Sequence, residues 1–473
     1  MYKFGDGQIN FSDFGQPHGM KMNAENRWVK KAESIPWQEI KERYAKLFTN
    51  KKGNVAKPLR LALGACIIQA EYGFSDIETA LMIQEHPYLQ FFCGFTQYKD
   101  EPPFDPSLMV YFRKRLSMQI LGEINEIIIA HNSPKKKQSK RMNDQDGDDG
   151  GGNNGTLIVD ATCAPSKIRY PQDTSLLNEA REKTEVLIDV LHTPGEKKPR
   201  TYRQKARKEY INFTKNRKKG IKNIRKQIKC QLGYLSRNLK HIEQMQAQVD
   251  TLTLRQKHQL EIIGKVYEQQ KYMYDNKVHS VADRIVSISQ PWLRPIVRGK
   301  AGTPVEFGAK PDISVADGWT RLEVLSFEAY NEAGNLQRIV ERFKERTGFY
   351  PKRVLADKIF RNRDNLAYCR KHHIRLSGPA LGRPKKYDEK ERKQIYDDAI
   401  ERIEVERRFS LAKRKCGLGM ITTRLPESIA SVIGMSIVVL NLRKIQCIFF
   451  RKLFFCFSNL LENLQNKNLV FIQ

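Results

Sequence analysis

The sequence predicts an α/β protein with a mixed sheet, flanking helices and a helical insertion, preceded by a small all-α domain. From residue 156 onward, short β-type runs alternate with helical patterns, which is typical of an α/β domain. Before that point, apolar residues recur at the steps of three and four that indicate helices. The chain has 473 residues, 40% of them hydrophobic, so it is long enough for about two or three folded units.

The net charge and the cysteine content limit the kinds of function that the chain is expected to have. Lys and Arg total 83 against 53 for Asp and Glu, a formal net charge of +30. Such an excess favours an anionic partner, with nucleic acid as the first hypothesis and an anionic membrane surface as the alternative. The eight cysteines form no Cys-x-x-Cys pair, so the sequence predicts neither a zinc ribbon nor a disulfide framework. Because no secretory signal follows Met1, we expect a cytoplasmic protein.

The first part of the chain is predicted to be helical. Residues 1–56 are an N-terminal extension with weak periodicity, and residues 57–131 form the small helical domain. Within that domain, Ser75-Asp76-Ile77-Glu78 has the spacing of a capping box, and an apolar stripe runs through residues 108–127. Residues 132–155 join a basic run to an Asp- and Gly-rich run, which is typical of a flexible linker.

Residues 156–442 are predicted to form the α/β domain. The run 156–159 is a strand that ends in Asp160, and the run 354–356 is a strand that ends in Asp357. Between them lie further β-type runs at 284–289, 305–308, 313–316 and 322–327, and a helical pattern at 336–343. The most apolar helical stretch, residues 429–440, is too short to span a bilayer, so we expect no membrane partner. Residues 443–473 match no pattern and stay unassigned.

The insertion, at about 195–278, is the most basic part of the chain. Twelve Lys or Arg residues and one acid, Glu209, lie between Thr201 and Cys230. Apolar residues step by three and four through 221–242, and a second helical stretch at about 254–274 completes a predicted hairpin. The apolar seam predicts packing. Its basic face is interpreted either as a solvated surface or as a DNA contact, and both hypotheses stay open.

Three carboxylates stand at positions suited to catalysis. Asp160 and Asp357 each follow a strand, and ligands collect at the carboxyl ends of strands in open α/β sheets. Each alone has an alternative interpretation, because Asp also commonly forms the turn that ends a strand. Farther on, Arg402, Glu406 and Lys413 share one stripe of a helix. From spacing alone, that stripe is equally a surface row of ion pairs or a site for a metal and neighbouring phosphates.

In their contexts, Asp160, Asp357 and Glu406 resemble the Asp-Asp-Glu triad of bacterial insertion-sequence DDE transposases, which have an RNase H-like core. The family's Tyr-Arg-Glu-Lys signature leaves three residues between Arg and Glu and six between Glu and Lys, and Arg402 and Lys413 match these gaps. Ala399 stands at the Tyr position, and Ile359 stands where many relatives carry Gly. The supporting strings are Leu157-Ile158-Val159-Asp160-Ala161-Thr162-Cys163-Ala164-Pro165, Val354-Leu355-Ala356-Asp357-Lys358, Leu376-Ser377-Gly378-Pro379-Ala380-Leu381-Gly382-Arg383-Pro384 and Val405-Glu406-Arg407-Arg408-Phe409.

The resemblance implies an activity. Asp160, Asp357 and Glu406 would be catalytic and bind Mg²⁺, with Mn²⁺ as a substitute, and Arg402 and Lys413 would contact DNA phosphates. Two such ions about 4 Å apart can activate the attacking oxygen and stabilise the leaving one. Residues 57–131 would bind DNA. The implied partners are transposon-end DNA, target DNA and further copies of the chain, in a homodimer or larger assembly at the nucleoid.

Three more residues are predicted DNA contacts. Arg383 lies in a short basic segment that would fit a minor groove, or is simply part of an exposed basic loop. Trp292 lies among cations that include Arg298, so it would stack on an unpaired base, or is a core residue.

The predicted function is therefore a DNA transposase that cleaves insertion-sequence ends and transfers the strands to target DNA. Two alternatives stay open. A structure-selective nuclease on the same RNase H-like core would cut branched DNA without joining it. An inactive transposase-derived repressor would bind the ends without cleaving them.

Overall fold

The computed structural model describes residues 11–16, 20–49, 54–133, 152–248, 251–297, 304–379, 381–382 and 388–470, the last 21 of these by backbone alone. The chain divides into two compact units. One comprises Met1–Pro165, Pro311–Leu325 and Tyr330–Gln473, and the other comprises Ser166–Lys310 and Ser326–Ala329. The described residues form fifteen α-helices and seven β-strands in a mixed, open sheet. The predicted α/β class is confirmed.

Seven helices precede the sheet among the described residues of the first unit. The predicted capping box is present, with Ser75 Oγ accepting from the Glu78 N–H and the Glu78 carboxylate accepting from the Ser75 N–H. The apolar stripe at 108–127 is divided between two helices, because Ser117 caps the second of them by accepting from the Ile120 N–H. The helices are α1 (Arg27–Glu33), α2 (Trp37–Ala45), α3 (Leu59–Tyr72), α4 (Asp76–Glu85), α5 (Pro87–Phe92), α6 (Leu108–Arg115) and α7 (Met118–Asn132).

Two of these helices, α1 and α2, lie in the stretch whose periodicity is weak. Trp28 on α1 and Trp37 on α2 pack edge-on against Phe92, with ring centroids 4.8 and 5.6 Å apart. Both tryptophans are buried. Helices of seven and nine residues are too short to repeat an apolar stripe, and two large aromatic side chains bury the necessary area instead.

The strands around the predicted site run in two directions. Strand β1 is antiparallel to β4, with Ile158 opposite Val315, and parallel to β6, with Ile158 opposite Leu355. Strand β6 is in turn parallel to β7. The strands are β1 (Thr156–Ala161), β2 (Ala164–Pro165), β3 (Arg294–Val297), β4 (Val305–Ala316), β5 (Trp319–Ser326), β6 (Arg353–Leu355) and β7 (Arg375–Leu376).

Helices cover both faces of this part of the sheet. On one face, Leu157 and Val159 pack with residues of α12 (Leu336–Thr347) and α13 (Arg363–Lys371). On the other face, Ile158 packs with Val405 and Phe409 of α14 (Glu389–Lys415). Because successive side chains of a strand alternate between faces, Asp160 belongs to the same face as Ile158 and therefore to the side of α14.

The second unit contains the predicted helical hairpin. It consists of α10 (Ile221–Gln248) and α11 (Leu254–Asn276), together with α8 (Asp173–Leu191) and α9 (Arg203–Lys215). Leu177 of α8, Leu235 of α10 and Ile263 of α11 are fully buried in one cluster. The apolar seam is therefore a packing seam, as its spacing predicts.

One strand prediction was wrong, because residues 284–289 form no strand. The runs 305–308 and 313–316 are both strand residues and belong to the single strand β4. Ile285 and Ile288 instead bury their side chains in the helical cluster of the second unit. The Ile285 N–H donates to the Gln269 side chain at 3.0 Å, so the backbone needs no neighbouring strand there.

The last helix is longer than expected. The apolar stretch 429–440 was expected to end near residue 441, but it belongs to α15 (Pro426–Val470). The cations that follow do not stop the helix, since Arg and Lys are good helix formers, and both are paired. Arg443 lies 3.2 Å from Glu71, and Lys444 donates to the Asp317 carbonyl at 2.9 Å. Pro426–Phe449 is apolar and long enough to cross a membrane, yet 56% of its most apolar window is buried in the protein, as in a core helix.

Candidate active site

Asp160 lies in β1, and Asp357 lies at the equivalent position just beyond the end of the neighbouring parallel strand β6. The pairing of β1 with β6 runs from Thr156 opposite Arg353 to Ile158 opposite Leu355. Each aspartate follows the last of these pairs by two residues, so both lie at the same carboxyl end of the β1–β6 pair, where Asp160 still pairs with Ile313 of β4. Neighbouring strands lie about 4.8 Å apart. The register therefore brings the two carboxylates to adjacent positions.

The two aspartates differ in their surroundings. Asp160 is largely enclosed, with its side chain 19% exposed, and its Oδ1 accepts from the Ala161 N–H at 2.8 Å. The pKa of Asp160 is raised to about 6, chiefly by burial and also by the nearby charges of Glu332 and Asp357, against the Ala161 hydrogen bond and the charge of Arg402, which lower it. Asp357 is exposed and accepts from the Lys358 N–H at 2.7 Å. This concentration of negative charge favours a bound cation.

Glu406 reaches the site from α14. Val405 and Phe409 hold that helix against the sheet, which leaves the neighbouring Glu406 at the exposed edge. One guanidinium joins it to the first aspartate, because Arg402 Nη1 lies 3.7 Å from Asp160 Oδ2 and Arg402 Nη2 lies 3.1 Å from Glu406 Oε1. Arg402 therefore lies between two of the three predicted catalytic carboxylates.

The arrangement suits a hard divalent cation in part. Asp160 and Asp357 supply adjacent carboxylate oxygens, the donors that Mg²⁺ prefers. Within the described ranges, however, no three His, Cys, Asp or Glu side chains converge closely enough to hold a metal ion. The positive charge beside Asp160 and Glu406 is supplied by Arg402 in this structure.

The position of α14 depends on a buried acid that the sequence analysis did not select. Asp398 accepts from Arg375 Nη2 at 2.7 Å and from Arg353 Nη1 at 3.2 Å. These arginines lie side by side at the amino ends of β7 and β6. From Asp398 to Glu406 the helix rises about 12 Å, and β1 spans about 13 Å from Thr156 to Asp160. Asp398 thus anchors α14 at one edge of the sheet so that Glu406 comes to the other.

Asp398→Asn is expected to lower the free energy of unfolding by about 3 kcal/mol, because two arginines lose their buried anion. Thermal melting measures this effect. Cleavage should fall as well, since the helix that carries Glu406 loses its anchor. Asp397→Asn is the matched control, because Asp397 is exposed on the same helix. Equal melting temperatures for the two variants would contradict the anchoring role.

The other predicted site residues are not among the contacts described above. Lys413 lies on α14 and is half-buried, seven residues beyond Glu406. Trp292 belongs to the second unit and is half-buried, and its indole N–H is enclosed with no hydrogen-bond acceptor in the described part of the chain. Arg298 and Arg383 lie outside the described residues, as does most of the predicted linker.

A further acid, Glu332, is marked by no strand or helix pattern in the sequence, and its charge acts on Asp160. The anchoring role of Asp398 has a signal in the sequence. Strands β6 and β7 each begin with an Arg that is followed by an apolar residue, so the two arginines lie next to each other if these strands pair in parallel.

Two parts of the chain match known families. Residues 354–443 match the family described as "Transposase DDE domain", a range that contains Asp357 and Glu406, and residues 18–115 match the "Transposase domain (DUF772)". A Rhizobium meliloti protein described as "Uncharacterized protein ORF8 in nfe locus" is 35% identical over 103 residues. That alignment covers 22% of this chain and 49% of the relative, so the chain spans about half the length of that relative. No solved structure matches.

Proposed function

We propose that the chain is an insertion-sequence DDE transposase, as its two transposase-family matches support, which cleaves DNA at the ends of its element and transfers the strands to target DNA. The observation that carries the proposal is the shared register of Asp160 and Asp357 at the carboxyl edge, with Glu406 linked to Asp160 through Arg402. This arrangement supports a shared site for carboxylates from three distant parts of the chain.

The strand directions support an RNase H-like catalytic core. The hairpin of β4 and β5 turns at Asp317 and Gly318, whose φ angles of 51° and 71° suit a two-residue turn. With β1 antiparallel to β4 and the strands β6 and β7 parallel to β1, the sheet has the order β2-β4-β1-β6-β7, and β3 and β5 also pair with β4. We assign residues 156–442 to this core with the helical insertion at about 195–278, and residues 57–131 to DNA binding.

Each site residue has a role in this proposal. Asp160 and Asp357 would hold the divalent cation, Mg²⁺ or Mn²⁺ in its place, and Glu406 would complete the site. A bound cation neutralises charge on the reacting phosphate. Arg402 would exchange its carboxylate partners for a DNA phosphate, and Lys413 would contact a second one. Trp292, Arg298 and Arg383 are proposed further DNA contacts.

The chemistry is two displacements at phosphorus. Water attacks the phosphate at the element end, the bond to the 3′-oxygen breaks, and a free 3′-hydroxyl is left on the element. That hydroxyl then attacks a target phosphodiester and displaces the target's own 3′-oxygen, so no covalent enzyme intermediate forms. We propose that a homodimer or larger assembly in the cytoplasm carries this out on paired ends.

A strand-transfer assay tests the proposal. The full chain is incubated with Mg²⁺, a plasmid target and a labelled duplex that contains the DNA flanking its reading frame, with a scrambled duplex as the control. We expect the label to become covalently joined to the plasmid. Cleavage without joining would support a structure-selective nuclease instead, and binding without cleavage would support an inactive repressor.

A further inference from the structure

The basic face of the helical insertion carries six lysines that are left without an anion. Glu209, the acid among these residues, is engaged because it accepts from the Tyr234 hydroxyl at 2.9 Å. Across the described residues, the six lysines form no ion pair, and all are exposed. We call them the basic surface: Lys205, Lys208 and Lys215 of α9, and Lys222, Lys226 and Lys229 of α10.

Three other cations of the same region have structural partners. Arg203 pairs with Asp189 at 2.7 Å. Arg225 lies 4.6 Å from the centre of the Tyr274 ring, and Lys219 lies 5.0 Å from that of Phe213. The fold thus uses these three cations for packing, whereas within the described part of the chain the lysines of the basic surface form no ion pair or ring contact of this kind.

The lysines follow the period of their helices. Lys222, Lys226 and Lys229 are separated by four and three residues, so they form a row about 10 Å long on one side of α10. The same helix buries Leu232 and Leu235 against α8 and α11. The row is therefore carried by a packed helix, and little backbone ordering is needed when it meets a ligand.

This geometry favours a phosphate backbone over a lipid surface. A helix that binds at a membrane interface presents an apolar face beside its cations. On α9 that face is used inside the unit, where Ala206 and Phe213 are buried. Rows of lysines on rigid helices supply point charges for successive phosphates, without the planar donors or grooves that distinguish bases.

We propose that the basic surface binds the sugar-phosphate backbone of duplex DNA independently of sequence. This inference rests on the proposed function in so far as DNA is the substrate. It adds a second DNA-binding surface to the candidate active site. The attraction comes from the release of counterions, so the affinity must fall as salt concentration rises.

The test measures DNA binding by the full chain as a function of NaCl concentration. Fluorescence anisotropy is recorded with a labelled duplex of random sequence in EDTA, for the unmodified chain and for the triple variant K222Q/K226Q/K229Q. For the triple variant we expect weaker binding. The negative slope of log K, the association constant, against log salt concentration should be smaller in magnitude by about three, one for each phosphate that a lysine no longer neutralises. A second duplex of unrelated sequence should give the same change.

Two matched variants make the result decisive. K257Q/K265Q/K271Q removes the same charge from α11, where Glu261, Glu268 and Asp275 offset the lysines, and should leave the slope unchanged. K222R/K226R/K229R keeps the charge and should retain the slope, which separates charge from folding. An unchanged slope in the first variant, or an equal reduction in the α11 control, would overturn the inference.

The test also distinguishes DNA binding from membrane binding, and this inference from the proposed transposase activity. Vesicles of phosphatidylserine and phosphatidylcholine are tested in parallel, and binding to them in place of the duplex, through the same lysines, would contradict a DNA contact. The EDTA assay needs no cleavage. A chain that transfers no strands can therefore still show the slope, and an active transposase with an unchanged slope would refute this inference alone.

Discussion

Asp160→Asn and Asp357→Asn are each expected to lower Mg²⁺-dependent cleavage of element ends by at least about a thousandfold, while DNA binding stays intact. Asn keeps the size of the side chain and removes the charge that would hold the cation. Cleavage is measured on labelled end duplexes, and binding is measured on the same duplexes in EDTA. Full cleavage by either variant would remove that residue from the active site.

Stability gives a second readout for Asp160. Its folded-state pKa of about 6 lies above the value of 3.8 expected in the unfolded chain, so the ionised group destabilises the fold at pH 7. Asp160→Asn should therefore raise the free energy of unfolding of the metal-free chain by about 2 kcal/mol. The gain should disappear as the pH falls from about 6 to 4, because the wild-type group then gains its proton. Asp364→Asn, at an exposed position, should change neither cleavage nor stability.

Glu71→Gln is expected to destabilise the chain by about 3–5 kcal/mol at pH 7, the largest stability effect that we predict. Glu71 of α3 accepts from the fully buried Lys31 of α1, and Arg443 of α15 lies 3.2 Å from the same carboxylate. Removing the anion leaves a buried ammonium uncompensated. Denaturant unfolding measures this destabilisation.

The pH dependence of this variant follows from Lys31. Burial lowers the pKa of Lys31 to about 8, below the value of 10.5 in an unfolded chain. Between these values the unfolded state binds more protons, so stability rises with pH and part of the destabilisation in Glu71→Gln should be recovered by pH 10. Glu123→Gln, in an exposed pair 3.7 Å from Arg43, is the matched control and should cost under about 1 kcal/mol. Similar destabilisation in both variants would contradict the role of burial.

Much of the fold was predictable because it depends on neighbouring residues. The capping box at Ser75, the seam of α10 and the strand before Asp160 were all predicted from local patterns and are present. The resemblance to insertion-sequence DDE transposases is likewise confirmed by the two family matches. Local patterns failed where burial came from distant partners, as for Ile285, which packs among helices instead of joining a strand.

The sequence by itself determined that a strand forms at or just before each of Asp160 and Asp357, because strand formation acts over a few residues, although β1 continues through Ala161 and β6 ends at Leu355. Only the tertiary structure decided that β1 and β6 pair in the register that aligns Asp160 with Asp357, and that Asp398 anchors α14 while Arg402 bridges Asp160 and Glu406. The physical reason is that a hydrophobic pattern specifies which side of an element is buried, whereas its partner and register depend on packing and charge from far along the chain.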